Sequence, residues 1–554
     1  MAYIKKQNIK YNADNTKIIS GTAAIAESVY DPKKASHNRK VTIESLGKVI
    51  YLREDGKEGI FLSPTRGLII YNSEKNSFSA VERDDPRLDG QVDLFPDPEI
   101  HTIIGDAYLF LKYMERIKML EVLRAVFPKD REYERCLCHI LHTILKNGSR
   151  KSCDDFTEQS FISHLFSDIP IRSLESDSLY FTMMGKDSVR VSFFRTYVDL
   201  MRKKNPRFGK ASYVDSTPLP NDIQNLVTNA LCSHGVTQTS NQTRMVLVLD
   251  EETDLPVWYS LIPGNILDLQ TLESIHSDVL ETLDVQIRSY VLDAGYLTKK
   301  ILKRFNLDTE LLTDDEGIPY RERILAKMPA KNGFPYRGLY EEYRPFFSNV
   351  EYHFDREGHT YFGTRTEVKI FECRINAYVY VDFDNAFDGI RTFRDKYPQE
   401  YEAMSLREKD WATYKSGYFV LLANEEDTAE NMLNSYYGRT RIEEYFKTIK
   451  DFTELLPLRK WNRDTVHGKI LNDIISSTIF IQARTLINSK GKAATKLISK
   501  TQSLMCTKKR NGDIRVDEPN KQVRDLYEKM GVKIPSHINP ESFKKSVIGI
   551  TSNR

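Results

Sequence analysis

Between Tyr436 and Lys450 the chain reads Tyr-Tyr-Gly-Arg-Thr-Arg-Ile-Glu-Glu-Tyr-Phe-Lys-Thr-Ile-Lys, and this run constrains the fold more than any other. Tyr436, Arg439, Glu443 and Lys450 follow one another at steps of three, four and seven. On an α-helix those steps bring all four side chains onto one face, and Lys447, four after Glu443, joins them. Ile442, Tyr445, Phe446, Ile449 and Phe452 form a second, apolar stripe. One side of the helix therefore packs, and the other presents a carboxylate among cations. Such a carboxylate suits a metal ion held beside a phosphate backbone. Glu444 falls off the cationic stripe and reads as solvent-facing. Asp427-Thr-Ala-Glu430 reads as the capping box that opens this helix.

Two further carboxylates stand in comparable places. Asp215 lies in Ala-Ser-Tyr-Val-Asp-Ser-Thr (211–217), a short strand ending in a turn. Asp293 lies in Ile-Arg-Ser-Tyr-Val-Leu-Asp-Ala-Gly (287–295), a buried-type strand running into a Gly turn. Carboxylates from two strand ends and one helix can converge on a metal pair. Ions roughly 3.5–4 Å apart clamp the attacking and leaving oxygens of a phosphoryl transfer. Asp250 and Asp268 also end or follow elements nearby but are left out of the set.

Together these blocks resemble the DDE transposases of the bacterial insertion-sequence-4-like superfamily, whose signature is Tyr-x2-Arg-x3-Glu-x6-Lys. Tyr436, Arg439, Glu443 and Lys450 match it, Asp215 in Asp-Ser-Thr matches the family's first acid, and Asp293 in Leu-Asp-Ala-Gly-Tyr matches its second. Pro263-Gly264-Asn265 before Asp268 is similar to a further block. Ile43-Glu-Ser-Leu-Gly-Lys48 is a weaker likeness near the start. The resemblance implies that Asp215, Asp293 and Glu443 are catalytic metal ligands for two Mg²⁺ ions, with Mn²⁺ able to substitute. It implies that Arg439, Lys447 and Lys450 contact DNA phosphates. Tyr436 either contacts a phosphate or packs at the helix base, and Thr217 either bonds in the site or forms the turn. Trp411 either holds a flipped base, as aromatics do in relatives that make hairpin ends, or is a core aromatic. The implied activity is cut-and-paste transposition: cleavage and strand transfer at terminal inverted repeats, on double-stranded DNA, by a homodimer in the synaptic complex. A ribonuclease-H-like nuclease without strand transfer, and a catalytically inactive DNA-binding descendant, stay open beside it.

The expected fold class is multidomain α/β: a ribonuclease-H-like catalytic core with a β-rich insertion, preceded by a small β-rich domain and a helical one. A length of 554 residues suits two to four domains. Residues 1–100 hold strand-like pieces (48–52, 67–71), and Phe95-Pro-Asp-Pro marks a linker. Residues 101–205 show helical spacing and suit either DNA-end binding or a scaffold. The core's first part is 206–329, with three strands, a helix and a strand. Residues 330–416 read as the β-rich insertion, 417–487 as the second part of the core with the signature helix, and 488–554 as a basic C-terminal region with a short helix at 521–530.

The net charge of +2 does not argue for nucleic acid, but the distribution does. Arg484, Lys490, Lys492, Lys496, Lys500, Lys508, Lys509 and Arg510 follow one another with no acid between, and Arg202, Lys203, Lys204, Arg207 and Lys210 lead into the first catalytic strand. Such runs neutralise phosphates or form a solvated surface. No apolar run reaches the ~18 residues of a membrane span, and no charged-then-apolar opening reads as a secretory signal. The six scattered cysteines suit a reducing compartment. The expected location is the bacterial cytoplasm, on the nucleoid when DNA is bound. Cys136, Cys138, His139 and His142 imitate a zinc spacing, but on the helix read for 133–145 they fan out and cannot meet one tetrahedral ion.

Overall fold

The computed structural model describes residues 2–13, 18–34, 38–82, 85–88, 101–146, 153–166, 174–232, 240–265, 271–313, 317, 319–489, 491–509 and 512–550. Asp268, Lys490, Arg510 and the linker read at 95–98 lie outside the described residues. The chain divides into two compact units, Met1–Ile100 and His101–Arg554.

The first unit is an antiparallel meander of six strands in sequence order: β1 (Ala2–Tyr11), β2 (Ile18–Tyr30), β3 (Asn38–Leu52), β4 (Glu58–Ser63), β5 (Gly67–Asn72) and β6 (Ser77–Ala80). Ile4, Ile25, Leu46, Val49, Phe61 and Tyr71 bury one face. The short run at 48–52 is the end of the much longer β3, whose earlier residues are mostly exposed.

The second unit is built on a mixed sheet of ten strands: β7 (Ala211–Pro220), β8 (Ala230–Cys232), β9 (Ser240–Asp250), β10 (Pro256–Pro263), β11 (Ser289–Leu292), β12 (Arg323–Lys327), β13 (His353–Arg356), β14 (His359–Ile370), β15 (Cys373–Asp382) and β16 (Tyr418–Ala423). Their order is β10-β9-β7-β11-β12-β16-β15-β14-β13, with the short β8 beside β9. β9 runs antiparallel to β7 and β10, whereas β7, β11 and β12 are mutually parallel. Leaving β8 aside, the first five strands stand in the order 3-2-1-4-5.

The helices that frame the site are α1 (Asp130–Lys146), α2 (Leu174–Met184), α3 (Asp187–Lys204), α4 (Thr271–Leu283), α5 (Tyr336–Tyr343), α6 (Phe383–Lys396), α7 (Leu406–Tyr414), α8 (Ala429–Tyr437), α9 (Thr440–Asp451) and α10 (Arg463–Leu486). Within 330–416, read from the sequence as a β-rich insertion, β13, β14 and β15 extend the central sheet and α5, α6 and α7 accompany them. β15 pairs on both sides and is buried almost throughout, as a central strand must be. The Phe- and Tyr-rich stretch after it turns helical where Asp382 caps α6 by accepting from Asn385 N. Within 488–554, read as a basic C-terminal region, Met505–Lys508 pairs with His101–Ile103 and with Ile514–Val516, in a four-stranded sheet that ties these residues to the start of the unit. The helix at Lys521–Lys529 stands within this region.

α10 is buried nearly all round and forms the axis of the unit. Phe480 stacks on Phe452 at 3.6 Å between ring centroids, and Tyr445 Oη donates to the Ile474 carbonyl at 3.3 Å, which fixes α9 against α10. Asn472 accepts from Tyr180 Oη at 2.9 Å and donates to Thr143 Oγ1 at 3.0 Å, joining α10 to α2 and α1. Two glycines set the α2–α10 spacing. A Cβ on Gly468 would lie 1.9 Å from the Phe181 carbonyl oxygen, and one on Gly185 1.7 Å from that of Asp464. Cys136, Cys138, His139 and His142 are buried along α1, where His139 stacks on Tyr180 at 3.8 Å. Among the described residues no helix is long and apolar enough to cross a membrane.

Burial of α10 has a consequence for pH. Burial, with Arg190 and Arg463 nearby, pushes the His467 imidazole down from its usual 6.5 to about 4. The folded state keeps it neutral while the unfolded chain protonates it, so this contribution is complete above pH 6.5 and is lost as pH falls towards 4. At 1.36 kcal/mol per pH unit the loss is ~3 kcal/mol. Urea unfolding at pH 7 and pH 4.5 is expected to show the drop, and His467→Gln to flatten it.

Candidate active site

Asp215 sits within β7, not at its end as the sequence suggested. β7 continues to Pro220 because β9 pairs with it throughout, Asp215 opposite Leu247 and Thr217 opposite Met245. Its other neighbour, β11, pairs only through Tyr213, opposite Val291. Two residues beyond that last pair come Asp215, still within β7, and Asp293, just past the end of β11. The place is the carboxyl end of parallel strands, where an α/β sheet opens a crevice. Asp293 directly follows β11 and caps the next turn, accepting from Ala294 N at 2.8 Å. Asp215 accepts from Ser216 N at 2.8 Å.

Glu443 comes from α9. The signature run is two helices, not one: α8 ends at Tyr437, capped at its start by Thr428, and α9 begins at Thr440. Gly438 and Arg439 between them keep right-handed helical dihedrals, so the one-face arrangement survives the break. A Cβ on Gly438 would lie 2.2 Å from Tyr213 Oη, so glycine lets the helices close on β7. That role was missed in the sequence, although a glycine inside a helical pattern was its signal. Ile442, Tyr445, Phe446, Ile449 and Phe452 are buried, while Glu443, Glu444 and Lys447 are exposed.

Arg439 joins the pieces. Its Nη1 donates to Asp215 Oδ2 and its Nη2 to Glu443 Oε1, both at 2.8 Å. The side chain is only 14% exposed. Burial alone would lower its pKa, but the charges of Asp215, Tyr436, Asp293 and Glu443 outweigh that and leave it raised. Arg439 thus faces the acids instead of solvent, because those carboxylates are the nearest anions. Tyr436 is buried beneath it, with the guanidinium 5.9 Å from the ring centroid. Lys450 donates to Thr217 Oγ1 at 2.5 Å, and its burial lowers its pKa.

The three carboxylates share a face without forming one tight cluster. Among the described residues, the His/Cys/Asp/Glu group whose ligand atoms all lie within 4.8 Å is His359, Asp382 and Asp384. Asp382 there is engaged as the α6 cap and by His359 Nδ1 at 3.0 Å. For the triad, a guanidinium bridging two carboxylates marks a place that favours positive charge, and three carboxylates are the hard oxygen donors that Mg²⁺ takes. The residues therefore fit a divalent ion. Asp250 belongs elsewhere: its carboxylate accepts from Gly209 N at 2.7 Å and Thr253 N at 2.9 Å, closing turns.

No curated protein gives a significant match to this chain. Among solved structures, a cryo-EM structure of a piggyBac transposase synaptic complex with hairpin DNA aligns over 77% of this chain and 80% of that one, at 9% identity and a TM-score of 0.35, too distant to bear on function. Residues 207–477, which contain all three acids and the whole signature run, match the family described as the transposase DDE domain. This segment is therefore similar to the transposase DDE domain, a likeness that supports a DDE-type transposase.

Proposed function

We propose that the protein is a cut-and-paste transposase of the insertion-sequence-4-like kind, cleaving DNA at terminal inverted repeats and joining the freed 3′-OH to target DNA. The observation that carries this reading is that Asp215 and Asp293 each stand two residues past the last pair of two adjacent parallel strands, with Glu443 held to Asp215 through Arg439. The strand order 3-2-1-4-5, with the second strand antiparallel, supports a ribonuclease-H-like core.

Asp215, Asp293 and Glu443 would hold the metal, two Mg²⁺ ions with Mn²⁺ able to substitute. Bound there, such ions make a water or 3′-OH nucleophilic and stabilise the leaving oxygen. The protein's own part is to keep the three acids on one rigid face. Asp215 and Asp293 are fixed by main-chain hydrogen bonds, and Glu443 by the apolar packing of α9 on α10. Lys447 and Lys450 supply cations for the phosphates flanking the cleaved bond, and Arg439 does so on exchanging its carboxylates for phosphate. Tyr436 supports Arg439 from below. The two ends of the element require two active sites, so a homodimer forms the synaptic complex.

The test is a cleavage assay on a labelled duplex carrying the element's own terminal repeat, with a supercoiled plasmid as target. Nicked or hairpin ends and joined plasmid products are expected in Mg²⁺, and none in EDTA. Cleavage without joining would make the protein a nuclease. Binding without cleavage in either Mg²⁺ or Mn²⁺ would make it an inactive DNA-binding descendant.

A further inference from the structure

Three neighbouring parallel strands of the central sheet reach the crevice, and each brings one charged residue to it. Val291 on β11 stands opposite Tyr213 on β7 and opposite Leu325 on β12. Two residues on from this row come Asp215, Asp293 and Lys327. A strand alternates its side chains between faces, so a step of two returns to the same face. Asp293 keeps extended dihedrals although β11 has ended, so the alternation reaches it. The face is the one that α8 and α9 cover, where Tyr213 meets Gly438 and Asp215 meets Arg439. Lys327 therefore belongs to the row that holds two of the three acids, although it lies outside the signature run.

The contacts of Lys327 agree with this placement. Its backbone is fixed, because it pairs with Leu421 on β16 and Met328 N bonds to the Val420 carbonyl at 2.8 Å. Its ammonium lies 5.7 Å from the centroid of the Phe419 ring. β16 is antiparallel to β12, so Phe419, two residues before Leu421, stands further towards the carboxyl end of β12. The side chain thus reaches along the strand towards the crevice. Phe419 stacks on Tyr380 at 5.1 Å, and Tyr380 Oη donates to the Ala429 carbonyl at the start of α8, which puts Lys327 on the side that α8 covers. Lys327 is half-buried, and among the described residues it makes no ion pair. A half-buried cation held against an aromatic ring and not a carboxylate is left available to an incoming anion.

We infer that Lys327 is a further substrate-binding residue of this site, donating to a phosphate of the cleaved strand that flanks the reacting bond. The inference rests on the reading of the protein as a DNA-processing enzyme, and it deepens that reading by supplying a cation from the sheet. Arg439, Lys447 and Lys450 come from α9 and the residue before it. Lys327 stands on the side of β11 away from β7, because β12 is the other neighbour of β11. A DNA strand laid across Asp215 and Asp293 therefore passes directly onto Lys327. There an ammonium offers three donors and a full charge to a phosphate oxygen.

The experiment is single-turnover cleavage of the terminal-repeat duplex at saturating protein, in Mg²⁺, with wild type, Lys327→Met and Lys327→Arg. Methionine keeps an unbranched stem against Phe419 and removes the charge. Lys327→Met is expected to cleave about 10- to 150-fold more slowly, the loss of one charge-assisted hydrogen bond, and Lys327→Arg to recover most of the rate. Melting temperatures are expected to stay near wild type. Two further duplexes each carry a neutral methylphosphonate in place of one of the two phosphates that flank the cleaved bond. On one of them wild type and Lys327→Met are expected to cleave equally, because the charge that Lys327 meets is already gone, while on the other the difference persists. Equal cleavage of the natural duplex by wild type and Lys327→Met overturns the inference, as does a loss of the same size on all three duplexes, which a structural role would give. In both cases cleavage by wild type leaves the DNA-processing reading standing. If wild type cleaves no duplex in Mg²⁺ or Mn²⁺, that reading falls and the inference with it.

Discussion

Asp215→Asn and Glu443→Gln are each expected to lower single-turnover cleavage of the terminal repeat by ~10³-fold or more while leaving duplex affinity within a few-fold of wild type. The magnitude follows from the charge that each carboxylate contributes to holding the metal, whose stabilisation of the reacting oxygens is worth several kcal/mol, at 1.36 kcal/mol per factor of ten. Affinity survives because duplex binding comes from cations spread over the surface. Both substitutions keep the side chain's size and most of its hydrogen bonding, so melting temperatures are expected to stay close to wild type. A variant of either acid that retains a tenth of wild-type cleavage would remove that acid from the set. Glu444→Gln serves as the neighbouring control, since Glu444 is exposed on the other side of α9, and its cleavage rate is expected to be unchanged.

Gly468→Ala is expected to destabilise the protein by at least ~3 kcal/mol, although alanine is the better helix former. The intrinsic gain from Gly to Ala within a helix is only ~1 kcal/mol. Against it stands a Cβ 1.9 Å from the Phe181 carbonyl oxygen, a backbone atom that no side-chain rotation can move aside. α2 and α10 must part by more than an ångström, and the Tyr180–Asn472–Thr143 hydrogen bonds part with them. Overpacking of a tight interface costs ~1–3 kcal/mol, and more where polar groups lose their partners. Gly338 in α5 has no atom within 4 Å of where its Cβ would stand, so Gly338→Ala is expected to raise stability by up to ~1 kcal/mol. Thermal or urea unfolding of the two variants should therefore shift in opposite directions, and a matching shift would show that backbone approach is not what Gly468 provides.

Much of the site could be read from the sequence because spacing alone puts residues on a helix face. Ile442, Tyr445, Phe446 and Ile449 are buried and Glu443 and Lys447 exposed, in agreement with the two stripes. The helix break at Gly438 was not legible, because helical dihedrals continue through it and only the approach of Tyr213 reveals why a glycine is there. The pairing of Arg439 with Asp215 was not legible either, since it joins residues 224 positions apart. The extent of β7 beyond Asp215 depends on its partner β9, which local propensity does not contain. The same holds for 330–416, where the strands were legible but the sheet they join was not. Which sheet a strand joins is decided by its neighbours, and the aromatic residues of α6 and α7 resemble those of a strand until Asp382 caps the helix.

Arg439 gives the folding chain an internal counter-charge. Three carboxylates gathered on one face repel one another, and proteins that rely on an ion to relieve such repulsion fold only when the ion is supplied. Here the guanidinium offsets that repulsion with two charge-assisted hydrogen bonds at 2.8 Å. The bonds to Asp215 and Glu443 are therefore expected to hold α9 against β7 in a chelating medium as well as in the presence of a divalent ion.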